Sequence, residues 1–129
     1  MIGDIMTVSR LRMGTDGNGV STLVTFFGCP LHCKYCISIF CHETDSVSDA
    51  IPRGAYTPEE LLAVLEKDDI YYRMSGGGEP LLQSAFIHEV CKLTSPVWKK
   101  RIETSLNVPW RYVEPLIEDL DEWIIDIKP

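Results

Sequence analysis

Apolar positions along the chain fall into short blocks that alternate between two periods. Residues 20–27 read Val-Ser-Thr-Leu-Val-Thr-Phe-Phe, β-branched and aromatic, with apolar side chains at both parities. Such a block fits a strand covered on both faces, the usual state of a parallel strand. Residues 70–74 (Ile-Tyr-Tyr-Arg-Met), 101–105 and 123–127 (Trp-Ile-Ile-Asp-Ile) predict further strands. Between these blocks the period becomes helical. Thr57 as N-cap, Pro58 at the first helical position and Glu60 three residues after the cap predict a capping box, with Leu61, Leu62, Val64 and Leu65 as the buried stripe. Residues 82–93 carry a second stripe, Leu82, Phe86, Ile87, Val90 and Cys91. Trp110, Val113, Leu116, Ile117 and Leu120 make a third, which Pro115 should kink or restart as a second short helix by removing a backbone donor. Residues 5–13 read as an edge strand, 15–19 as Asp-Gly and Asn-Gly turn chemistry, and 37–56 as a connection.

Four strands alternating with three helical stretches predict an α/β chain with parallel crossovers. In such sheets ligands bind outside the C-terminal ends of the strands. Cys29 to Cys36, Gly76 to Glu79, Glu103 with Thr104, and Asp126 with Lys128 all fall at such ends. An apolar last strand at 123–127 would leave an open edge, which predicts a longer natural chain, self-association there, or cover by a partner.

Composition narrows the class. A chain of 129 residues, 45% hydrophobic, is expected to form one globular domain over 1–129 with a single core. A formal net charge of -7 argues against nucleic acid as a partner. Residues 1–12 lack the apolar core of a signal peptide, and no stretch reaches transmembrane length, so no membrane partner is expected. Five cysteines without an export signal point to a reducing cytoplasm.

Cys29, Cys33 and Cys36 form a C-x-x-x-C-x-x-C set, too dense for three independent structural cysteines. Thiolates are soft donors suited to iron-sulfur clusters, zinc or copper(I). Three of them on one loop would hold three corners of a cubane cluster and leave one iron open, and an open metal position is where a substrate binds. Electron-carrying clusters usually take a fourth cysteine. The same stretch also fits a structural zinc knuckle, with Cys41, His32 or His42 completing the site, although structural zinc sites tend to use two separated ligand pairs. Cys41 and Cys91 read otherwise as small apolar residues and His88 as a solvated helix residue.

The cysteine set, with aromatic Tyr35 just before its last member, resembles the signature of the radical S-adenosylmethionine (SAM) enzymes. The stretches 14–19 (Gly-Thr-Asp-Gly-Asn-Gly) and 75–83 (Ser-Gly-Gly-Gly-Glu-Pro-Leu-Leu-Gln) are most similar to the proteins that activate glycyl radical enzymes, the pyruvate formate-lyase activase group. The resemblance implies a partial (β/α) barrel with about four of the family's six units. It implies a 4Fe-4S cluster on Cys29, Cys33 and Cys36, with SAM on the open iron. Gly77, Gly78 and Glu79 would contact the amino end of SAM, Tyr35 would pack near its adenine, and Asp126 with Lys128 would face its carboxylate and ribose. Glu103 and Thr104 stand where the family has an Asp-Thr pair that helps bind a monovalent cation. The implied activity is reductive cleavage of SAM to a 5'-deoxyadenosyl radical that installs a glycyl radical on a partner enzyme, with reduced flavodoxin or ferredoxin as electron donor. Arg73, and Lys67-Asp68-Asp69 before it, depart from the short apolar strand that precedes Gly-Gly-Glu-Pro in the family. A truncated, noncatalytic cluster- or zinc-binding module, or radical chemistry on another substrate, would share these features.

Overall fold

The computed structural model describes residues 1–13 (side chains through residue 9), 19–29, 54–67 and 72–127. Its sheet contains β1 (Gly3–Met13), β2 (Val20–Phe26), β3 (Gly54–Tyr56), β4 (Tyr72–Gly77), β5 (Lys99–Thr104) and β6 (Glu122–Ile125), in the order β3-β1-β2-β4-β5-β6. The four expected parallel strands are β2, β4, β5 and β6, paired in that order. β1 runs antiparallel to β2 and to β3. The architecture is therefore an α/β fold with a mixed, mostly parallel sheet.

Helix α1 (Pro58–Leu65) starts as its sequence dictates. Thr57 Oγ1 accepts the Glu60 amide at 3.2 Å, and the Glu60 carboxylate reaches back to the Thr57 amide at 3.4 Å. Pro80–Gln83 forms a 3-10 turn leading directly into α2 (Ser84–Leu93). Pro115 starts a second short helix: α3 covers only Trp110–Val113, and a 3-10 turn, Glu114–Leu116, follows with the proline in its first turn.

Pairing register sorts the strand residues by face. Val24 lies beside Ser75, which lies beside Ile102, which lies beside Trp123. On this face Ile5, Val24, Phe26 and Ile102 join Leu61 and Leu65 of α1 and Phe86, Ile87 and Val90 of α2 in one hydrophobic core. The other face carries Thr25, Met74 and Arg101, all buried. There Arg101 stacks 3.7 Å above the Tyr72 ring and donates from Nε to Glu122 at 2.5 Å, tying β4, β5 and β6 together. Among the described residues no helix is long and apolar enough to cross a membrane.

Two expectations need correction. The expected edge strand at 5–13 is covered at its start, because β3, inside the expected 37–56 connection, pairs outside β1 along Gly3 to Ile5, with Gly3 opposite Tyr56 and Ile5 opposite Gly54. A strand of three residues carries no periodicity to read. The second parallel strand, β4, runs on to Gly77 instead of ending at residue 74, so Gly76 and Gly77 are strand residues; residues 70 and 71 lie outside the described residues. Arg73, the departure from the family's apolar strand, lies within β4. It is 6% exposed, its guanidinium lies 3.9 Å over the Trp98 ring, and it donates to the Leu65 carbonyl at 3.2 Å. A cation thus binds the carbonyl end of α1, where positive charge is favourable.

Candidate functional site

Because β2, β4, β5 and β6 are parallel neighbours, their C-terminal ends lie side by side on one rim. β2 ends at Phe26, and Gly28, with φ +95°, turns the chain before Cys29. That left-handed conformation favours glycine. Cys29 is half-buried.

The glycine loop after β4 is bound to this departure point by main-chain hydrogen bonds. The Gly78 amide donates to the Phe26 carbonyl at 3.1 Å, and the Glu79 amide donates to the Gly28 carbonyl at 2.7 Å. The approach has no room for a side chain. A Cβ on Gly77, itself at φ +94°, would stand 2.7 Å from Thr25 Cβ and 2.8 Å from the Phe26 nitrogen, and a Cβ on Gly78 would run into the Gly28 carbonyl. A cradle of bare backbone beside a cysteine is the kind of surface a compact cofactor needs for close approach.

Glu79 continues the connection across the rim. It is 2% exposed, and both carboxylate oxygens are engaged. Oε1 accepts from the Thr104 hydroxyl at 2.5 Å and the Leu81 amide at 3.3 Å. Oε2 accepts from the Ser105 hydroxyl at 2.9 Å and the Ser105 amide at 3.1 Å. Thr104 in turn accepts the Leu106 amide on its hydroxyl at 3.0 Å and the Asp126 amide on its carbonyl at 2.9 Å. A continuous string of bonds therefore runs from Gly28 through Glu79 and Thr104 to Asp126. Leu106, at φ 59°, is the one non-glycine residue with positive φ among the described residues, and its backbone is held there by the Thr104 hydroxyl.

This geometry redistributes the expected roles. Gly77 is exposed and Gly78 half-exposed, so their main chains are accessible. The Glu79 side chain binds the β5 rim, leaving its backbone at the cradle. Glu103 and Thr104, the pair expected beside a monovalent cation, stand at the end of β5. They are successive strand residues on opposite faces: Glu103 is exposed, and the Thr104 hydroxyl is buried against Glu79. Asp126 is exposed at the end of β6. Cys33, Cys36, Tyr35 and Lys128 lie outside the described residues, as do Cys41, His32 and His42. No cluster of three His, Cys, Asp or Glu side chains in metal-binding geometry occurs among the described residues.

Away from the rim, Cys91 packs against the core, and burial first, then the Asp119 charge, push its thiol up to about 12. His88 is not simply solvated, since its Nδ1 meets Asp119 Oδ2 at 2.5 Å. Ser105 and Gln83 contribute contacts to the rim that no local pattern announced. A small hydroxyl just past a strand end was the available signal for Ser105.

The model of a 4Fe-4S single cluster domain matches residues 15–111. The pyruvate formate-lyase-activating enzyme of Clostridium pasteurianum is 31% identical over 99% of this chain and 53% of its own. The pyruvate formate-lyase 2-activating enzyme of Escherichia coli is 27% identical over 98% of this chain and 54% of its own. The crystal structure of QueE from Escherichia coli shares the fold with a TM-score of 0.74 at 20% identity, over 100% of this chain and 61% of that one. The chain spans about half the length of these curated relatives. It belongs to the 4Fe-4S single cluster domain family and is a radical SAM protein related to the pyruvate formate-lyase-activating enzymes.

Proposed function

We propose that the chain carries the cofactor-binding half of an activating enzyme that cleaves SAM reductively and installs a glycyl radical on a partner enzyme. The observation that carries this reading is the bonding of the Gly78-Glu79 backbone to Phe26 and Gly28, which holds the bare cradle against Cys29. Cys29, Cys33 and Cys36 would hold the cluster as thiolates. When bound, the cluster would supply the electron for reductive cleavage of SAM, and SAM would supply the radical chemistry directed at a glycine of the partner.

The protein's own residues bind and orient. Carbonyls of Gly77 and Gly78 are offered to the SAM ammonium, with the Glu79 backbone beside them, while the buried Glu79 carboxylate keeps that loop in place. Asp126 and Lys128 would take the carboxylate and ribose side, and Tyr35 would lie by the adenine. Glu103, exposed at the β5 end, is left as the side chain for a monovalent cation. The electron comes from reduced flavodoxin or ferredoxin, and the partner is a glycyl radical enzyme. Such cofactors perform the difficult chemistry while the protein positions them and excludes oxygen and water.

Anaerobic reconstitution with iron and sulfide, then reduction in the presence of SAM, should release 5'-deoxyadenosine, and adding the partner should give a glycyl radical signal by electron paramagnetic resonance (EPR). A chain loaded with cluster that releases none overturns the reading. A second reading keeps the SAM chemistry and changes the substrate. It rests on 29% identity, over 73% of this chain, to the 7-carboxy-7-deazaguanine synthase of Clostridium acetobutylicum. Formation of that product in place of a glycyl radical would select it.

A further inference from the structure

Gln83 stands outside every role assigned above, yet its side chain reaches the strand that delivers Cys29. Its Oε1 accepts the Asp4 amide at 2.8 Å, and its Nε2 donates to the Asp4 carbonyl at 3.0 Å and the Phe27 carbonyl at 3.2 Å. Asp4 thus exchanges both its backbone groups with one side-chain amide, as it would with a neighbouring strand residue. The pairing of β1 with β2 ends at Ile5 opposite Phe26. Beyond it the Phe27 amide donates to the same Asp4 carbonyl at 3.2 Å. Gln83 therefore continues the sheet by one artificial rung, at the residue two before Cys29.

We propose that Gln83 is a positioning residue that fixes the departure of Cys29 from the sheet and so sets the retention and electronic environment of the cluster; this rests on the cluster reading above. The chemistry demands an amide. Only a group with an acceptor and a two-proton donor in one plane satisfies one N–H and two carbonyls at once. Its own anchorage is rigid. Gln83 closes the 3-10 turn that begins with buried Pro80 and Leu81, immediately after Glu79. Leu82 beside it lies against Gly28, and Phe86 presses its ring on Gly3 next to Asp4. One short element therefore grips both the cradle, through Glu79, and the base of the cysteine stretch, through Gln83. Groups that orient metal ligands without touching the metal typically change affinity by about 10- to 100-fold when removed.

The test uses the whole chain reconstituted with iron and sulfide, as wild type, Gln83→Met and Gln83→Glu. Met keeps the volume and removes the bonds. Glu keeps the acceptor for Asp4 and sets a second acceptor against the two carbonyls. Each variant is followed by iron release to a chelator and by the EPR spectrum of the reduced cluster. Thr57→Ala, which weakens α1 far from the rim, serves as a control for general destabilisation. Iron release about 10- to 100-fold faster in both Gln83 variants, with an altered EPR spectrum and with Thr57→Ala unchanged, supports the proposal. If Gln83→Met does not fold, Gln83→Glu decides alone. Release and spectra equal to wild type in either folded variant overturn the proposal and leave the cluster reading intact. A wild type that takes up no iron overturns both.

Discussion

Replacing Glu79 by Gln tests whether the glutamate of the Gly-Gly-Glu-Pro stretch works through its carboxylate or its backbone. The carboxylate receives four hydrogen bonds, two of them from the main-chain amides of Leu81 and Ser105. A hydroxyl can turn and accept, but a backbone N–H cannot. Whichever oxygen becomes the NH2 group, one buried amide then faces another donor. An unsatisfied buried donor costs about 1 to 3 kcal/mol, and bonds that lose their charged acceptor weaken by roughly 1 kcal/mol each. The sum is a loss of about 2 to 5 kcal/mol from a total that for a domain of this kind is roughly 5 to 15 kcal/mol. Urea unfolding of the cluster-free chain, followed by circular dichroism, should show this loss before any cofactor is added. Amide exchange at Ser105, Leu106 and Asp126 should accelerate in step, because these amides hang from the same string of bonds. An unfolding free energy within about 0.5 kcal/mol of wild type, accompanied by weakened SAM binding, would place the carboxylate on the ligand and refute the reasoning.

Other outcomes follow from the same geometry. Gly78→Ala drives a Cβ into the Gly28 carbonyl, where no flexible side chain can give way. It should cost about 1 to 3 kcal/mol in urea unfolding and lower iron content after reconstitution. Thr57→Ala removes one arm of the α1 capping box and should cost about 1 kcal/mol while leaving iron content at the wild-type level. Cys91 titrates with an unfolded-state value near 9.0 and a folded value pushed up to about 12. Its neutral thiol therefore favours the native state fully below pH 9, and that contribution fades as pH climbs from 9 towards 12. Urea midpoints of wild type should fall more steeply across that window than those of Cys91→Ala.

Much of the fold was legible because its signals are local. The 20–27 strand, the Thr57 cap and the Pro115 kink each depend on residues within a few positions of one another. The expected end of β4 falls short of the observed one because Gly76 and Gly77 carry no side chains, and a strand that ends in glycines shows no alternation there. The place of Arg73 in a buried strand was not legible because its partners, Trp98 and Leu65, become neighbours only on folding. The site divides in the same way. The glycines announce a close backbone approach, whereas the bond from Glu79 to Ser105 spans 26 residues and that from Gln83 to Asp4 spans 79. Contacts of such separation leave no periodic trace. The opposite orientations of Glu103 and Thr104 did follow from strand alternation, which a pairwise motif comparison overlooks.

The seam between Gly78-Glu79 and Phe26-Gly28 is made of main-chain atoms alone. Its strength is thus indifferent to the side chains of whatever is inserted after it. A graft of the cysteine stretch would accordingly have to restore the Phe26 and Gly28 carbonyls at the correct spacing, the Phe27 carbonyl that Gln83 holds, and a glycine able to turn. The frame at the mouth of the sheet would be inherited unchanged while the metal-binding insert diversifies.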